Sequence, residues 1–180
     1  MTDRILNSIS GRLSLRKPQR KSLEILARYT DIVPLSKSED AKTILSIIRS
    51  EYSTVTDFER DFPSLCFSLA TGVGKTRLMG AFISYLHLAK GINHFFVLAP
   101  NLTIYNKLIE DFTPNTPKYV FKGISEFIID TPRIITGDNY ERTLSYQQTS
   151  LHSGEWMGSI DINIFNISKI NDKKSKEGAS

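Results

Sequence analysis

The sequence predicts an α/β fold built on a parallel sheet, and three observations carry that prediction. Two short apolar runs, "SLCFSLA" at 64–70 and "HFFVLAP" at 94–100, have the length and composition of buried strands bounded by Pro and Gly. Each run is followed by a stretch of helical period, "KTRLMGAFISYLHLAKG" at 75–91 and "LTIYNKLIEDF" at 102–112. The resulting order of strand, loop, helix, strand and helix requires right-handed crossovers between parallel strands. The chain has 180 residues, 40% of them hydrophobic and 23% charged, which supplies the apolar side chain for one globular core.

Element by element, Pro18 sits in the first turn of a helix whose apolar face is Leu23, Ile25, Leu26 and Tyr29. Ser38 is read as the cap of a second helix, with Glu39 and Asp40 in its first turn and Ile44, Leu45, Ile47 and Ile48 on its apolar face. The run at 64–70 reads as a strand with Cys66 as a small buried residue. Gly91 terminates the helix that starts near Lys75. Beyond Pro114, "KYVF", "EFIID", "RIIT" and "DINIFNISKI" read as strands and connections of the same sheet. The polar stretch 140–159 reads as a long loop or hairpin insertion, and "NDKKSKEGAS" as a polar tail.

Several classes of function are set aside by composition. A single cysteine excludes an internal disulfide, and His87, His94 and His152 lack metal-ligand spacing. No run reaches the ~18 apolar residues of a membrane span, and "MTDRILNSIS" lacks the apolar core of a secretory signal, so the expected location is the cytoplasm, without membrane. The net charge of +4 is concentrated at the two ends, in Arg12, Arg16, Lys17, Arg20, Lys21 and Arg28 and again in Lys169, Lys173, Lys174 and Lys176. Two solvated faces and a surface for a polyanion are equally compatible with that distribution.

The most specific signal is "LATGVGKT" at 69–76. In a P-loop the chain turns so tightly that successive N–H groups point at phosphate oxygens, and Gly72 and Gly74 permit such a turn. Lys75 would place an ammonium on the β and γ phosphates, and Thr76 a hydroxyl on Mg²⁺ at the start of a helix whose dipole adds to the attraction. Leu69 stands where the standard pattern has glycine. The competing reading is a glycine turn with an incidental Lys-Thr.

Here the chain resembles a family. "ATGVGKT" is similar to motif I of superfamily 2 helicases and DNA translocases, "LRKPQ" to the "LRxxQ" element preceding it, and "FFVLAPNLTIYNKL" to motif Ia. The wording "LAPNLTIYNKL", with "INIFNISKIN" further on, is closest to the motor subunit of type III restriction enzymes. The resemblance implies a RecA-like P-loop motor domain that binds ATP and Mg²⁺ and acts on DNA, with RNA left open, beside a modification or specificity subunit and a nuclease. It implies that Gln19 reads adenine and that Thr71, Gly72, Val73, Gly74, Lys75 and Thr76 cradle the phosphates, with Thr76 on the metal. Asn101, Thr103, Ser168 and Lys169 would touch a nucleic-acid backbone. Each has a plainer role as well: Gln19 as an exposed helix residue, Asn101 and Thr103 as helix caps, and Ser168 and Lys169 as polar residues at a strand end.

A motor of this kind also needs an Asp-Glu pair at a strand end. Asp130 is followed by Thr131 and Pro132, Glu110-Asp111 lies within a helix, and Glu39-Asp40 precedes the P-loop. The expected organisation is therefore amino-terminal helices with the adenine-reading element over 1–60, a RecA-like core over 61–172 that stops before its acidic box, and a tail over 173–180. Such a chain would bind ATP without turning it over. Two alternatives stand beside the motor: a small P-loop kinase or NTPase without nucleic acid, and a non-catalytic nucleic-acid-binding module with a degenerate nucleotide site.

Overall fold

The computed structural model describes residues 2–34, 40–141 and 159–167. Its elements in chain order are α1 (Thr2–Arg12), α2 (Lys17–Ile32), α3 (Ala41–Glu51), α4 (Lys75–Lys90), β1 (His94–Ala99), α5 (Leu102–Phe112), α6 (Glu126–Ile129), β2 (Arg133–Thr136) and β3 (Asp161–Asn166). The chain divides into two compact units, Met1–Tyr85 and Leu86–Ser180, and the division falls inside α4.

In the first unit α2 begins where Pro18 allows, because proline lacks an N–H that the first turn would leave unbonded anyway. Leu23, Leu26, Ala27 and Tyr29 are buried along it. Tyr29 and Val33 join Ile44 and Ile48 of α3 in one apolar cluster, with Ile32, Val55 and Phe58 packed around it. The cap of α3 is Asp40, whose carboxylate accepts from the backbone N–H groups of Lys42 and Thr43. The cap expected at Ser38 falls outside the described residues, and the helix begins after Asp40, two residues later than a cap at Ser38 would start it.

The strand expected at 64–70 is not formed. Its backbone makes no ladder with any described residue, Leu65 is 41% exposed, and Cys66 is exposed where burial was expected. Apolar composition supplies a face to bury but no partner, and a strand exists only where a neighbouring backbone completes its hydrogen bonds. Among the described residues Phe67 makes the one aromatic contact of this run, with Phe82 at a centroid distance of 4.9 Å.

The second unit carries the sheet. Its order is β1-β3-β2 and both pairings are parallel, as the alternation of strand and helix requires. The central strand β3 reads "DINIFN" and buries Asp161, Ile162, Ile164 and Asn166. Asp161 pairs in register with His94 on one side and Arg133 on the other. Its carboxylate accepts from Arg133 Nε at 2.7 Å and lies 3.3 Å from His94 Nδ1, so one buried side chain ties the starts of all three strands.

Of the segments read as strands and connections, two are connections. "EFIID" forms the single-turn α6, and "KYVF" forms turns in which Tyr119, Lys122 and Ile124 bond to carbonyls three residues back. The aromatic side chains pack locally, while Ile128 and Ile129 are exposed. Phe121 stacks on Phe127 at 4.3 Å and meets Phe112 edge-on at 5.5 Å, and the Tyr119 hydroxyl donates to the Phe127 carbonyl at 3.0 Å. Burial pushes the Tyr119 phenol up to about 12. The polar stretch expected as an insertion falls largely, at 142–158, outside the described residues, as does the tail.

Candidate nucleotide-binding site

The loop at 71–74 leads directly into α4, which begins at Lys75. Gly72 has φ +77° and Gly74 φ +93°, a region that side chains with a Cβ rarely enter. At Gly74 space matters too, since a Cβ there would lie 2.8 Å from Gln19 Nε2. Both glycines of the motif are therefore required by geometry, Gly72 for its torsion and Gly74 for torsion and close approach.

The close approach is made by α2. Gln19, in the first turn of that helix, is 1% exposed. Its Oε1 accepts from the Arg16 backbone N–H at 2.8 Å, which fixes the amide plane, and its Nε2 donates to the Gly74 carbonyl at 2.9 Å. The same carbonyl accepts the first backbone bond of α4, from the Leu78 N–H at 3.1 Å. The element "LRKPQ" is thus brought onto the loop some 55 residues later in sequence, and Gln19 is no solvent-exposed helix residue.

Two cations complete the loop's carbonyl side. Arg16 Nη1 donates to the Gly72 carbonyl at 3.2 Å, and Lys75 Nζ donates to the Ala70 carbonyl at 3.3 Å. Thr71 is exposed, while Val73 and Thr76 are half-buried. With the first-turn N–H groups of a helix lacking intrahelical acceptors, the amides around Lys75 and Thr76 have the chemistry of an anion site. The donor set fits a polyphosphate: glycines that allow the turn, backbone amides, a lysine ammonium and a threonine hydroxyl at the helix start.

Asn101 caps α5, its Oδ1 accepting from the Ile104 N–H at 2.9 Å, and Thr103 is exposed in the first turn of the same helix. Both stand in the second unit. Ser168 and Lys169 fall outside the described residues. Among the described residues no group of three or more His, Cys, Asp or Glu is placed to hold a metal ion, and no helix is long and apolar enough to cross a membrane. Sequence reasoning missed Arg16, which it counted only as charge. Its position three residues before Gln19, at the cap of a proline-started helix, was the available signal.

Residues 12–179 match the family model described as "Type III restriction enzyme, res subunit". The chain belongs to this family. The family's domain is a RecA-like P-loop domain, and a three-stranded parallel sheet with flanking helices agrees with an incomplete α/β domain of that kind. Within the restriction-enzyme family, the chain is 31% identical over 119 residues to the probable type III restriction-modification enzyme HindVIP Res subunit of Haemophilus influenzae. That alignment covers 62% of this chain and 20% of the relative, so the chain spans about a fifth of the length of the curated relative it matches. No solved structure matches the chain.

Proposed function

We propose that this chain is the ATP-binding part of a superfamily 2 DNA helicase or translocase of a restriction system. The observation that carries the reading is the seating of Gln19 against Gly74, which joins the two sequence elements that such a site needs. Thr71, Gly72, Val73 and Gly74 would wrap the phosphates, Lys75 would neutralise the β and γ groups, and Thr76 would offer its hydroxyl to Mg²⁺. Gln19 would read the adenine with the hydrogen-bonding capacity its amide has left, one N–H and one lone pair. When bound, Mg²⁺ supplies charge neutralisation of the phosphates; everything else in the site belongs to the chain.

In the whole protein, ATP hydrolysis would be coupled to movement on DNA beside a modification subunit. Asn101 and Thr103 would meet the nucleic-acid backbone through the amino end of α5, a role compatible with capping because a helix start is also an anion site. Ser168 and Lys169 would add to that contact. The family match favours this motor over a small kinase, because "LRKPQ" and "APNLT" then both have work to do.

The test is a calorimetric titration of Mg·ATP into the chain and into Lys75→Ala. Saturable binding that the variant loses is the expected result. Equal binding by both would place the nucleotide elsewhere, and binding by neither would remove the reading.

A further inference from the structure

The three side-chain donors at the loop fall on alternate carbonyls: Lys75 on Ala70, Arg16 on Gly72 and Gln19 on Gly74. In a planar trans peptide the C=O and the following N–H point in opposite directions. A donor that holds the Gly72 carbonyl therefore turns the Val73 N–H the other way, and no peptide bond among the described residues is cis. Gly72 is where such a hold matters most. Its φ is +77°, and nothing lies within 4 Å of where a Cβ would be, so no neighbour packs against that side of the residue. Arg16 is suited to the task because its own backbone is held: its N–H is bonded to Gln19 Oε1 at 2.8 Å in an extended cap conformation.

We propose that Arg16 is a positioning residue of the nucleotide site, whose guanidinium holds the Gly72 carbonyl and thereby aims the Val73 N–H at the bound phosphates. The inference rests on the nucleotide reading above and adds to it a residue and a role. Arg16 acts on the phosphate half of the ligand through the loop and makes no demand on the base. Its side chain is exposed, so replacing it leaves the core of α2 intact.

The experiment compares wild type, Arg16→Met and Arg16→Lys, with isotope labels on the backbone. In the free protein the Gly72 carbonyl and Val73 amide resonances shift in Arg16→Met and return toward wild type in Arg16→Lys, which keeps a donor and a charge. Affinity for Mg·tripolyphosphate, which has no base, falls roughly fivefold in Arg16→Met, in line with loss of one charge-assisted hydrogen bond at an exposed site. Affinity for Mg·ATP falls by the same factor. The loss persists at about 1 M salt, where the screening length is ~3 Å and attraction between separated charges is gone. Unmoved Gly72 and Val73 resonances, a loss confined to ATP, or a loss that disappears at high salt would each overturn the role of Arg16. Failure of the wild-type chain to bind either ligand would overturn the nucleotide reading itself, and the inference with it.

Discussion

Gly74 and Gly72 separate two reasons for glycine that a motif cannot tell apart. Gly74→Ala forces a Cβ to 2.8 Å from Gln19 Nε2 at φ +93°, so both the torsion and the amide that seals the loop must give way. We expect a loss of about 2 kcal/mol in stability, read from denaturant unfolding, together with loss of ATP binding. Gly72→Ala meets open space and should cost only the torsional penalty, about 1 kcal/mol. Equal losses for the two would contradict the close approach of Gln19. A second residue with a readable energy is Asp111, 5% exposed, whose Oδ1 has no hydrogen-bond partner among the described residues. Burial raises its pKa first of all; nearby Glu110 adds to the rise, and Lys107 and Lys118 oppose it. A carboxyl with a raised folded pKa is a destabilising charge at all pH above that pKa, and the penalty fades as pH falls below it toward the unfolded value. Asp111→Asn should therefore raise the thermal midpoint at pH 7, with the gain shrinking toward pH 4; a midpoint lowered at pH 7 would show that the carboxylate has a partner.

The clearest element is β3, where Asp161 joins Arg133 and His94 across three strands in register. Asp161→Ala removes a 2%-exposed carboxylate from a partly buried ion pair and should cost about 2 kcal/mol in unfolding free energy. A cost near zero would mean the register is held by the apolar residues alone. Elements whose burial follows one period were legible in the sequence: α2, α4 and α5 start and stop where Pro18, Gly91 and Asn101 say they should. Those that depend on a distant partner were not. "SLCFSLA" has the composition of a strand but no ladder among the described residues, and "EFIID" has strand formers but folds as a single helical turn that buries Phe127 and leaves Ile128 and Ile129 exposed. The same limit explains the site. Gly72 to Thr76 are contiguous and could be read directly, whereas the meeting of Arg16 and Gln19 with the loop is a tertiary fact.

For the molecule as a whole, the family of type III restriction enzyme Res subunits is matched over residues 12–179, and the proposed nucleotide loop is built inside the first unit. The described sheet lies in the second unit, with Asn101 and Thr103 on the helix that follows its first strand. In the proposed function, residues 71–76 and Gln19 act together as one nucleotide site. Amide hydrogen exchange followed by mass spectrometry, with and without Mg·ATP, tests it most directly. Slowed exchange is expected in peptides covering 70–77 and 16–20 together, absent in Lys75→Ala. Slowing confined to other segments, or none at ligand concentrations that saturate the wild-type chain, would contradict it.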